Sequence, residues 1–103
     1  MNEHILLVMK YLDDNESVTQ KELLGNCKAA AAVYVYAHTA PHIAAAIASA
    51  IAVDVADAAV TCAACAHHIA ICYTKKHIDR YFVCTGENKQ DYINEIAKNK
   101  GDK

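Results

Sequence analysis

Ile43-Ala44-Ala45-Ala46-Ile47-Ala48-Ser49-Ala50-Ile51-Ala52-Val53-Asp54-Val55-Ala56-Asp57-Ala58-Ala59 is the stretch whose reading decides the fold. Alanine has the best intrinsic helix propensity and loses no side-chain rotamer freedom in a helix. The bias extends well beyond the quoted residues, since 19 of the 42 positions from 29 to 70 are alanine. Strand signals are nearly absent. Only Val33-Tyr34-Val35-Tyr36 would suit a pleated surface, and its flanks are alanine rather than turn residues. The expected fold class is all-α, an alanine-rich helical bundle or elongated helical hairpin, assembled as an oligomer.

Charge is placed unevenly around this middle. Residues 1 to 28 carry eight charged side chains and residues 75 to 103 carry twelve, whereas 29 to 74 hold only Asp54 and Asp57. With 103 residues the chain suits one domain, 1–103, and is too short for two well-cored ones. A formal net charge of -2 and the lack of a basic stripe with interleaved aromatics argue against a nucleic-acid partner. No charged segment followed by a short apolar run and a small-residue cleavage site opens the chain, so the expected compartment is cytoplasmic. Five cysteines, Cys27, Cys62, Cys65, Cys72 and Cys84, form no regular framework, and reduced thiols are expected.

Four helices are expected. Ile5, Leu6, Met9 and Leu12 recur at helical spacing over about 3–13, and Asp13-Asp14-Asn15 stops that helix. Ser17-Val18-Thr19-Gln20 reads as a capping box that opens a helix over about 18–38, with Val18, Leu23 and Leu24 as its early apolar face. Gly25-Asn26 is a candidate break within it. Pro41 separates it from a long helix over about 41–84, with Thr39 as the natural N-cap, and Thr85-Gly86 offers the stop. The last helix covers about 88–100, with Tyr92, Ile93 and Ile96 inward.

On a helical wheel the long helix has three apolar faces and one polar line. Ile43, Ile47, Ile51, Cys62, Cys65, Ile69 and Cys72 form one stripe, and Val53, Val60, Ile71, Ile78 and Phe82 a second. Ala45, Ala48, Ala52, Ala56, Ala59, Ala63, Ala66 and Ala70 make a seam of small residues at spacings of three and four. Asp54, Asp57, Thr61 and His68 are the polar line. A helix apolar on most of its circumference has to be buried. Left continuous, it would be a rod of roughly 65 Å, too long for the other helices to cover. The expected outcome is a homo-oligomer whose interface uses the alanine seam with Ile43, Ile47 and Ile51. The rival is a break near Asp54-Val55-Ala56-Asp57 that folds the helix back into a bundle.

Cys62-Ala63-Ala64-Cys65-Ala66-His67-His68, with Cys72 and His77 beyond it, is the one cluster with metal-ligand chemistry. A single helix cannot close a tetrahedral shell, and no second pair at zinc-ribbon spacing is present. Cysteine on an apolar face is more often a small buried hydrophobe. A metal-binding helical assembly therefore stands as an alternative, and no cofactor is expected. The CxxC lies in mid-helix, away from the N-terminal dipole that stabilises a thiolate. His38 and His42 straddle the proline and read as solvated or capping. Asp54 and Asp57 mark the wet line, and His68 is too far along the axis from Asp57 to form a dyad. No nucleophile with an adjacent base is visible, so no enzyme activity is expected. A second alternative draws two membrane spans, 29–53 and 58–73, in the manner of a small phage holin. The second span is short, and histidines and Pro41 fall within or near lipid, so a membrane partner is disfavoured.

The stretch Asp79-Arg80-Tyr81-Phe82-Val83-Cys84-Thr85-Gly86-Glu87-Asn88-Lys89-Gln90-Asp91-Tyr92-Ile93-Asn94-Glu95-Ile96 resembles small alanine-rich helical proteins of tailed bacteriophages. The resemblance covers about a quarter of the chain. In that group the middle repeats alanine with tyrosine and aspartate, whereas isoleucine, valine, cysteine and histidine fill many of those places here. The resemblance implies a host-cell setting in which the protein binds a host factor, and it transfers no functional residue. The function expected from the sequence is a protein–protein interaction or self-assembling module.

Overall fold

The first helix of the computed structural model, α1 (Glu3–Asp13), starts at a cap that its own sequence supplies. Asn2 Oδ1 accepts hydrogen bonds from the backbone N–H groups of His4 at 2.9 Å and Ile5 at 3.3 Å, two of the donors that a helix start leaves unpaired. After α1 come α2 (Gln20–Thr39), α3 (Ile43–Cys65), α4 (His68–Thr85) and α5 (Lys89–Gly101). The structure describes the backbone of residues 1–39, 43–65 and 68–101, and the side chains of 1–35, 46–64 and 70–98. Every element among these residues is a helix. Pro41, the capping side chain of Thr39, His38, His42, His67, and the side chains of Ile43, Ala45, Cys65, Ala66, His68 and Ile69 lie outside them.

Two local expectations shift. The capping box is built two residues later than Ser17: Glu22 N–H donates to Thr19 Oγ1 at 3.1 Å, and Thr19 N–H donates to Glu22 Oε1 at 3.2 Å. Ser17 instead closes the end of α1, donating from Oγ to the carbonyls of Asp14 at 2.6 Å and Lys10 at 3.3 Å. Gly25-Asn26 is no break, and α2 runs through both. Asn26 is held against α1, with Nδ2 donating to His4 O at 3.2 Å and Oδ1 2.7 Å from His4 Nδ1.

The larger correction concerns the helix expected over 41–84. It is two helices, α3 ending at Cys65 and α4 starting at His68, packed side by side. Asp54 and Asp57 do not interrupt α3. They sit on its solvent face, with Thr61 Oγ1 donating back to Asp57 O at 3.2 Å. α3 is the central helix, flanked by α2 and α4 and crossed by α1, with α5 against α1. Gln20 Nε2 donates to Ala63 O at 3.0 Å, so the start of α2 lies beside the end of α3 and the two run antiparallel. Ala70, Tyr73 and His77 of α4 line a groove with Thr61, Asp57 and Asp54 of α3, which makes that pair antiparallel too. At ~1.5 Å per residue, the 23 residues of α3 make a rod of roughly 35 Å, in keeping with a longest dimension of 41 Å. Folding back is what lets the chain cover its own apolar helix.

The core gathers one side of each helix: Ile5, Val8 and Met9 of α1, Leu23 of α2, Ile51, Val55 and Ala59 of α3, Ile78 and Tyr81 of α4, Tyr92 and Ile96 of α5. Val18 packs in from the α1–α2 connection. Two inward assignments fail: Leu24 and Ile93 are 45% and 43% exposed. The α4 stop falls where Thr85-Gly86 placed it. Gly86 has φ 73° and its N–H donates to Phe82 O at 3.0 Å, the left-handed cap that glycine adopts without a Cβ clash.

Candidate functional site

Three features carry chemistry or surface. The first is a buried polar knot where α4 turns into α5. Tyr81 and Tyr92 are each 1% exposed, and a buried tyrosine hydroxyl needs a partner. Both find one carboxylate: Tyr81 OH donates to Glu87 Oε2, and Tyr92 OH donates to Glu87 Oε1. The Tyr92 oxygen also accepts the Asn2 N–H at 2.7 Å, which ties the knot to the start of α1. Phe82 packs edge-on to both rings, with centroids 5.5 Å from Tyr81 and 5.0 Å from Tyr92. Burial, and then the bond to Glu87, push the Tyr81 hydroxyl well above the ordinary tyrosine range, and Tyr92 is raised for the same reasons. The sequence reading placed only Tyr92 inward. The available signal was two tyrosines flanking Thr85-Gly86-Glu87, a turn that brings a carboxylate back between them.

The second feature is the groove between α3 and α4, a cavity of about 250 Å³ lined by Asp54, Asp57, Thr61, Tyr73 and His77 with two alanines. The Tyr73 and His77 rings meet edge-on at 4.4 Å. Asp54 and Asp57 are exposed, as the wet line required. Across α3, burial and then the Asp57 charge push the Cys27 thiol up, which keeps it protonated and a poor nucleophile. Among the described residues no three of His, Cys, Asp and Glu stand where they would hold a metal ion. Cys62 is fully buried and accepts a hydrogen bond from Tyr11 OH at 4.0 Å, while Cys72 and Cys84 are exposed on α4. The phenol of Tyr11 is raised by burial first and by Cys62 second.

The third feature is apolar surface. Of the residues named for an interface, Ile51, Ala52, Ala56 and Ala59 are buried beneath the chain's own helices. Ala48, Ala63 and Ala70 are partly buried, Ile47 is 48% exposed, and Ile43, Ala45 and Ala66 lie outside the described side chains. The seam therefore already has helices against it. Apolar surface is open on α2, where Leu24, Ala31 and Val35 are exposed together with Lys28, and among the other described residues at Val33, Ile47, Tyr73 and Val83. Residues Ala46–Ala64 are long and apolar enough to cross a membrane by length and composition alone, and they form the central core helix here. The two spans drawn on the sequence do not coincide with helices, since 29–53 takes in the end of α2 and the start of α3, and 58–73 the end of α3 and the start of α4. Compared with protein-family models, with curated proteins and with solved structures, the chain matches none.

Proposed function

We propose that this chain is a non-enzymatic helical interaction module that self-associates through the outer face of α2. The observation that carries this reading is an apolar stripe left in water. Leu24, Ala31 and Val35 recur at spacings of seven and four along one line of α2, about 100° round the helix from the buried Leu23 and Ala30, and Val35 is 64% exposed. Single exposed apolar residues need no explanation, but an aligned set along one helix marks a contact surface. Ala31 and Ala32 are small enough for a second helix to approach closely between the larger side chains. Sequence reading had assigned association to the α3 seam. With Ala52, Ala56 and Ala59 covered from within, the α2 face is the surface that a second copy meets without unfolding the bundle. The resemblance of residues 79–96 to small phage proteins adds a host protein as the other partner this face would take.

Sedimentation equilibrium tests the reading. The chain is expected to sediment at a multiple of 11.2 kDa, with mass rising with concentration. Val35→Lys is expected to give the monomer mass with the parent's helix content, because the side chain leaves the core untouched. A strict monomer at high concentration removes the proposal.

A further inference from the structure

Where α1 ends, it meets α4 and α5 without filling the space between them. A cavity of about 360 Å³ opens there, within the range of about 300–1,000 Å³ that small-molecule sites occupy. Its floor is apolar, made by Met9 and Leu12 of α1 and Ile78 of α4. Met9 and Ile78 are core residues, so the floor is backed by the packed interior. A second hollow of about 210 Å³ is lined by Met9 and Asp13 together with Ile93, Ile96 and Ala97 of α5. Met9 and Asp13 belong to both hollows, which makes them one trough along α1. Ile93, on its wall, is 43% exposed, an apolar side chain that the fold leaves in water.

Four charged residues stand round the larger hollow: Asp13 from α1, Lys75 and Asp79 from α4, and Lys89 from α5. They are not equivalent. Asp79 is paired with Lys89 at 3.1 Å, and Asp13 is engaged as well. Lys75 is exposed and, among the described residues, forms no ion pair. The charge left for a ligand is one ammonium beside an apolar floor.

We propose that this trough binds a single-chain amphipathic carboxylate, with its head on Lys75 and its tail along Met9 and Leu12 toward Ile93. A carboxylate matches one ammonium in charge, whereas a phosphate would bring more negative charge up to Asp13 and Asp79. A cationic head would find both of those carboxylates already taken. Burial of the tail supplies the larger part of the affinity and the exposed ammonium the smaller, because an ion pair in water is weak. α2 contributes nothing to the trough, so the site stands independently of association through that helix.

Amide chemical shifts in the intact protein, titrated at about pH 7 with decanoate, decanol or decyltrimethylammonium below their micelle concentrations, test the site; at that pH decanoate is ionised. Decanoate is expected to move the amides near Met9, Ile78 and Ile93 and to leave those of α2 in place. Decanol is expected to bind the same residues about two- to fivefold more weakly, and the cation more weakly still. Lys75→Gln, a change at an exposed position, is expected to weaken decanoate by that same factor and to leave decanol unchanged. Ile93→Ser is expected to weaken decanoate and decanol alike, since it shortens the apolar wall. Vesicles of phosphatidylglycerol, whose chains are held in a bilayer, are expected to leave these amides unmoved. The proposal is overturned by decanoate shifts that are absent or centred on α2, by a Lys75→Gln variant that still prefers decanoate to decanol, by a cation that binds as well as the acid, or by a response to the vesicles at these amides.

Discussion

Gly25 lies on the outer side of α2, and a Cβ added there meets no atom within 4 Å. Its backbone is helical, so the glycine contributes nothing to the fold except extra freedom in the unfolded chain. Gly25→Ala is therefore expected to stabilise by about 0.5–1 kcal/mol. Gly86 has the same open surroundings and the opposite consequence. Its φ of 73° is a left-handed conformation in which a Cβ crowds the following carbonyl, so Gly86→Ala is expected to destabilise by about 1 kcal/mol. Urea unfolding of the two variants checks the pair, and equal shifts would show that the backbone, not the space around it, had been misjudged. Two glycines with equal room and opposite effects isolate the dihedral angle as the cause. At this scale the sequence was half legible. Thr85-Gly86 announced a helix end because glycine is the residue that such an end needs, whereas Gly25-Asn26 looked like a break only because its tertiary partner, His4, was invisible from the local string.

At the scale of the elements, alanine spacing identified which sides of α3 are apolar, and the exposed line of Asp54, Asp57 and Thr61 lies where the wheel put it. Periodicity gives a face and says nothing about which helix covers that face. That is why the seam read as a contact between chains, while Ala52, Ala56 and Ala59 are covered by this chain's own helices. The division at 65–68 was hidden for a related reason: Cys65-Ala66-His67-His68 contains neither glycine nor proline, so no local punctuation marks the end of α3. Leucine substitution separates the inner and outer sides of this helix. Ala59 is 0% exposed, so Ala59→Leu inserts three extra carbons into a filled space and is expected to cost about 1–3 kcal/mol. Ala64→Leu, on the exposed side, is expected to stay within about 0.5 kcal/mol. At about 4–8 °C of melting temperature per kcal/mol for a chain of this size, thermal unfolding resolves the difference. Matching melting temperatures for the two variants would mean that the α3 seam is not packed.

On the scale of the whole molecule, a radius of gyration of 13.3 Å equals what ~100 residues reach in a compact domain, about 13 Å. That closure depends on bringing α5 and the chain start back onto the α4 turn, and the largest fully buried side chains, Tyr81 and Tyr92, are the ones that do it. Their hydroxyls make the assembly vulnerable to alkali, with a sign that follows from burial. Both are raised from the ordinary tyrosine value of 10.0, so above that pH the unfolded chain releases protons that the folded chain still holds. The folded state then binds more protons than the unfolded one, and stability falls as pH rises. The stabilising effect is fully present below pH 10.0 and is lost progressively above it, until the fold gives way or the buried hydroxyls ionise. With six tyrosines and no tryptophan, tyrosinate absorbance reads the event directly. An alkaline titration is expected to show a late cooperative step in which Tyr81 and Tyr92 ionise together with loss of helix. Tyr81→Phe should shrink that later step, because one of its two buried protons is gone. A single smooth titration of all six tyrosines, with helix content unchanged throughout, would mean that neither hydroxyl is buried against Glu87 and that another contact closes the molecule.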